Sequence, residues 1–133
     1  MQITYEMKKD YIFFKIIGEY KDSEDLDKIK DLSDIAKKHG FSTILIDVRD
    51  LNYDFDTFKR FNLSEYWVKK CYDLGIYKTA VIGIERRMDI LSENVVNNRG
   101  FEFKLFTNEK EAIIWLSTSQ IKKIENIYDN TKV

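Results

Sequence analysis

The chain has 133 residues, 44% of them hydrophobic and 14% aromatic, which is enough for one domain with its own core. Charged residues make up 34%, but they nearly cancel to a net charge of −1, and the basic residues come only as short pairs such as Lys37-Lys38, so no nucleic acid is expected as a partner. A single cysteine, Cys71, excludes an intramolecular disulfide, and no apolar run approaches the roughly 20 residues that insert into a membrane; the expected location is cytoplasmic.

The runs ITYEM and YIFFKIIGEY are rich in β-formers and separated by KKD, the pattern of an antiparallel hairpin. The opening MQITYEMKKD lacks the basic-then-apolar order of a signal peptide. DSEDLDKIKDLSDIAKKHG reads as one helix: Leu26, Ile29, Leu32 and Ile35/Ala36 keep helical spacing. Asp22 or Ser23 caps its start and His39-Gly40 closes it, with His39 placed to meet the free carbonyls of the last turn. STILIDV is a continuous apolar run, as in a strand buried on both faces. A long helix is predicted over about residues 54–74, ended by Gly75. TAVIGIE is a second buried strand, in which Gly83 permits close packing. RRMDILSENVVNN reads as a helix broken by Gly100, FEFKLF as a strand, and NEKEAIIWL as a helix with Ala112, Trp115 and Leu116 inward. The order ββαβαβαβα predicts an α/β fold: a mostly parallel sheet with an N-terminal antiparallel hairpin. One domain is expected over residues 1–117, with 118–133 a polar tail that extends the last helix or is disordered.

The stretch LNYDFDTFKRF, residues 51–61, comes nearest to chemistry. Phosphatases of the haloacid-dehalogenase type carry Asp-x-Asp-x-Thr directly after a strand, but here Thr57 falls one position early and ILIDV ends several residues before Asp54. No catalytic residue is assigned, and the chain is expected not to be an enzyme. Asp47, Asp50, Asp54 and Asp56 could gather at the C-terminal sheet edge, yet they lack the spacing of a calcium loop, and His39 is the single histidine, so no metal or other cofactor is expected. The helix itself accounts for both aspartates of DFDT: Asp54 is expected as N-cap and Asp56 in the first turn, where negative charge is favoured.

The strand and helix order, together with KTAVIGIERRMDILSENVVNNRGFEFKLFTNEKEAIIWL, resembles the SpoIIAA-like branch of the STAS superfamily, the anti-sigma-factor antagonists. The TAVIGIE strand, the ENVVNNRG helix end, the FKLFTNEKEA turn and the closing AIIWL carry the likeness, and this branch is also similar to the lipid-binding CRAL-TRIO fold. The resemblance implies a bacterial regulatory domain whose partners are proteins. Antagonists proper place an Asp-Ser pair at a helix start, and phosphorylation of the serine disrupts partner binding. Asp56-Thr57 falls near that place, which makes Thr57 the candidate phosphoswitch, although threonine replaces serine and FKRF stands where a glycine-rich stretch is usual.

On the helix over residues 54–74, Phe58, Phe61, Val68 and Tyr72 form one apolar stripe, and Leu63, Trp67, Cys71 and Leu74 form another. An ordinary surface helix has one stripe. The second is expected to meet a neighbouring helix, a second subunit or an apolar ligand. Phe55, Leu63, Tyr66, Trp67, Cys71 and Leu74 are the candidate interface or ligand-facing residues, with Cys71 a buried structural thiol. Two functions follow. The leading one is a non-catalytic regulatory or protein-interaction module that self-associates, as a homodimer, through this helix. The alternative is a carrier or sensor of an apolar small molecule such as a lipid.

Overall fold

Side-chain alternation shapes the hairpin. In β2 (Ile12–Glu19), Ile12, Phe14 and Ile16 are buried and the residues between them half-buried. β1 (Gln2–Met7) runs antiparallel to it, from Gln2 opposite Ile17 to Met7 opposite Ile12, and the Lys8 amide closes the turn on the Tyr11 carbonyl. The computed structural model describes residues 1–84 and 101–117. The continuous apolar runs become β3 (Thr43–Asp47) and, after a two-residue β4 (Leu51–Asn52), β5 (Lys78–Ile82); β3 and β5 are buried at every position. β6 (Glu102–Phe106) completes a sheet ordered β1-β2-β3-β5-β6, parallel from β2 onward, with β4 pairing the end of β2. The α/β fold with an N-terminal antiparallel hairpin is as expected. The helix expected in RRMDILSENVVNN and the tail 118–133 lie outside the described residues.

The first helix departs from expectation. It is two helices, α1 (Ser23–Lys30) and α2 (Leu32–Lys38), hinged at Asp31, whose ψ of −9° opens the helical turn. The bend holds Ile29, Leu32 and Ala36 against the sheet, so the apolar spacing continues across it. Asp22 caps α1, its carboxylate accepting the Glu24 and Asp25 amides. His39 ends α2, and its ring turns to Tyr5, with Nε2 3.3 Å from the hydroxyl, rather than to the last carbonyls.

Helices cover both faces. Ile12, Phe14, Ile16, Ile44 and Ile46 pack with α1, α2 and α3 (Thr57–Leu74). Leu45, Ala80, Ile82 and Phe106 pack with Ala112 and Leu116 of α4, residues 109–117. Asn108 caps α4 by accepting the Glu111 amide. Lys78 of β5 is wholly buried and ties α4 to the sheet: its ammonium donates to the carbonyls of Trp115 at 3.1 Å and Leu116 at 3.0 Å, and lies 4.5 Å from the Trp115 ring centre. No helix among the described residues is long and apolar enough to cross a membrane.

Candidate functional site

The approach to α3 is built by aromatic packing. Phe55 is buried, edge-on to Tyr20 with ring centres 4.7 Å apart, and tilted against Tyr53. The Lys59 ammonium lies over both Tyr20 and Phe55, and the Arg60 guanidinium donates to the Phe55 carbonyl at 2.9 Å. With Phe55 committed to the core, the chain cannot start its helix at residue 54. The N-cap is Asp56, not Asp54: its Oδ1 accepts the Lys59 amide at 2.7 Å, and Thr57 is the first helical residue.

The acidic loop does not converge. Asp47 is buried and grips Arg49 through Nε at 3.0 Å, Nη2 at 2.8 Å and the backbone amide at 3.0 Å. Burial pushes its carboxyl up, but these bonds outweigh it and hold the carboxyl below its usual range. Arg49 also reaches toward Glu109 at 4.0 Å, and Asp50 faces Lys15 at 3.7 Å. With Asp56 taken up by the cap, the acidic residues serve separate purposes. Among the described residues no cluster of His, Cys, Asp or Glu is arranged to hold a metal.

The structure sorts the two stripes of α3. Leu63, Trp67 and Cys71 are buried on the sheet side together with Ser64 and Val68. The Trp67 indole N–H donates to the Thr79 hydroxyl at 3.2 Å, and burial drives the Cys71 thiol far up despite a hydrogen bond from Thr79. The interface expectation is therefore corrected for Phe55, Trp67 and Cys71, which present no face to a partner; Leu63 is buried but forms part of the floor of a groove between α1 and α3. Tyr66 and Leu74 are half-buried, and the Lys30 ammonium sits 4.7 Å over the Tyr66 ring. The lipid-facing alternative finds no room beneath the helix: the cavity lined by Leu63, Trp67, Ile29 and Val81 measures about 10 Å³, against the hundreds of Å³ that an apolar ligand fills.

The other stripe faces outward except at Val68, which is buried with the first. Phe58 is 75% exposed, Tyr72 73% and Phe61 48%. At the start of α3 a groove of about 280 Å³ opens between α1 and α3, lined by Leu26, Lys30, Phe58, Lys59, Asn62 and Leu63. Of these, only Leu63 is among the candidate interface residues read from the sequence. The signal for the groove was the pairing of Leu26 with Lys30, one turn apart, opposite Phe58.

Known structures share this arrangement of sheet and helices. The anti-sigma factor antagonist SpoIIAA, in its unphosphorylated form, superposes with a TM-score of 0.60 at 13% identity, over 88% of this chain and 97% of its own. The fold is SpoIIAA-like. The phosphorylated form of the Bacillus cell fate determinant SpoIIAA matches with a TM-score of 0.56 at 14% identity, over 86% of this chain and 99% of its own. A DUF3478-family protein with a SpoIIAA-like fold, from Shewanella loihica PV-4, matches with a TM-score of 0.52 at 25% identity, over 86% of this chain and 92% of its own. No family model and no curated protein matches the sequence. The SpoIIAA-like architecture expected from the strand and helix order and the C-terminal motifs is thus the one observed.

Proposed function

We propose that this chain is a non-catalytic, SpoIIAA-like regulatory module that docks a protein partner at the N-terminal end of α3, with Thr57 as a phosphorylation switch. The observation that carries the reading is the exposed Phe58 beside the groove between α1 and α3, immediately after Thr57. Large exposed aromatics are costly to leave in water and are favoured at interfaces. The fold supports the reading further, because SpoIIAA is an anti-sigma factor antagonist with a phosphorylated form.

A phosphate on Thr57 would enter the first turn, where unpaired amides and the helix dipole favour an anion. Asp54 and Asp56 would oppose it. Its larger effect would be on a partner seated against Phe58, which would meet nearly two added negative charges at the rim of an apolar contact. The test is a photo-cross-linking side chain placed at residue 58 in the source cells, with Ile114, exposed on α4, as the control position. A protein adduct should form at 58, not at 114, and should diminish when Thr57→Glu is added. Equal adducts at both positions, or none at 58, would sink the proposal.

A further inference from the structure

We propose that β1 pairs with β1 of a second copy of this chain, antiparallel about a two-fold axis at Thr4, so that two sheets join into one. This surface is separate from α3, and the inference stands whatever docks there. Among the described residues β1 is the last strand of the sheet on its side, with β2 as its single neighbour. The Lys8 amide donates inward to Tyr11, and backbone groups two residues apart along a strand point the same way. Gln2, Thr4 and Glu6 therefore bond to β2, and the N–H and C=O groups of Ile3, Tyr5 and Met7 address the open edge.

Sheet edges are ordinarily defended by lysine, proline or a bulge. Within Gln2–Met7 there is none of these: the register with β2 is unbroken, and Glu6 is the single charge. Apolar side chains stand at the same edge, with Tyr5 45% and Met7 58% exposed.

The strand is self-complementary. Antiparallel pairing centred on Thr4 sets Ile3 against Tyr5 of the second copy, and Gln2 against Glu6. Each side chain meets one of its own kind, the apolar face stays continuous with the helix-covered face of both sheets, and no like charges oppose each other. Ile3 and Tyr5 form hydrogen-bonded pairs on their outward groups. Thr4 meets Thr4 at the close, non-hydrogen-bonded position, where threonine pairs are favourable.

The test is the mass of the full chain in solution by sedimentation velocity across a concentration series, at low salt. The wild type should shift from monomer to dimer as concentration rises. Thr4 is exposed, so its substitution should leave the monomer folded. Thr4→Lys and Thr4→Glu should each raise the dissociation constant about tenfold by opposing like charges on the axis. Mixed in equal amounts they should form a heterodimer. A wild type monomeric at every concentration, a dimer indifferent to both substitutions, or a mixture that stays monomeric would each overturn the proposal. Should a variant fail to fold, hydrogen exchange on the wild type decides: the Ile3 and Tyr5 amides should gain protection with concentration, and their rapid exchange throughout would overturn it.

Discussion

Trp67 and Phe58 lie on one helix, about two and a half turns apart and so on opposite sides. Trp67 keeps 1% of its surface and Phe58 keeps 75%. The buried side of α3 is mostly apolar but includes Ser64 and the indole nitrogen of Trp67. The buried indole N–H is satisfied by the Thr79 hydroxyl. The outward side carries apolar surface without cover from α1 or α2. One face of the helix holds the fold together, and the other is the face proposed for recognition.

Substitution should separate the two faces cleanly. Trp67→Ala empties the centre of the core and strands the Thr79 contact; it should cost about 3–5 kcal/mol in denaturant unfolding. A loss under 1 kcal/mol would mean that the core is assembled differently. Asp56→Ala removes the cap that starts both faces and should cost about 1 kcal/mol. Phe58→Ala and Phe61→Ala should each change stability by no more than about 0.5 kcal/mol, and Phe61→Ala should reduce the adduct formed from the cross-linker at position 58. A large loss of stability from Phe58→Ala would show that the outward stripe also belongs to the core.

Acid should act on the loop rather than on either face. The Asp47 carboxyl titrates lower folded than unfolded, so its contribution is complete above the ordinary carboxylate range, near pH 4. That contribution is lost as pH falls through the folded value. Asp47→Asn should flatten the stability profile below about pH 4 and lower stability at neutral pH.

Much of this was legible in the sequence. The β-rich run YIFFKIIGEY announces a strand, and the unbroken STILIDV and TAVIGIE runs announce strands buried on both faces, because burial on two faces leaves no polar positions in the run. The bend at Asp31 left no mark, since the apolar period runs through it. The helix start was displaced by two residues for a tertiary reason. Asp54 and Asp56 are equal as caps, and the packing of Phe55 on Tyr20 chooses between them. Spacing revealed that α3 has two stripes but not which one is inside, because a phenylalanine facing solvent and one facing a sheet recur at the same interval. The groove was missed because its walls come from two helices far apart in the chain. The open edge of β1 was hidden for a different reason: a sequence shows that a strand exists, not that it is the last one.

Lys78 has a consequence of another kind. Its amine is enclosed between β5 and α4, where it donates to the carbonyls of Trp115 and Leu116. An acylating reagent that modifies surface lysines within minutes can reach this nitrogen only when α4 lifts from the sheet. The extent of modification at Lys78 is thus a clock for that opening, readable by peptide mass alone and without any engineered probe. If α4 opens on its own, Lys78 will be modified faster than Cys71 is by thiol reagents; if the domain opens as a whole, the two will keep the same time.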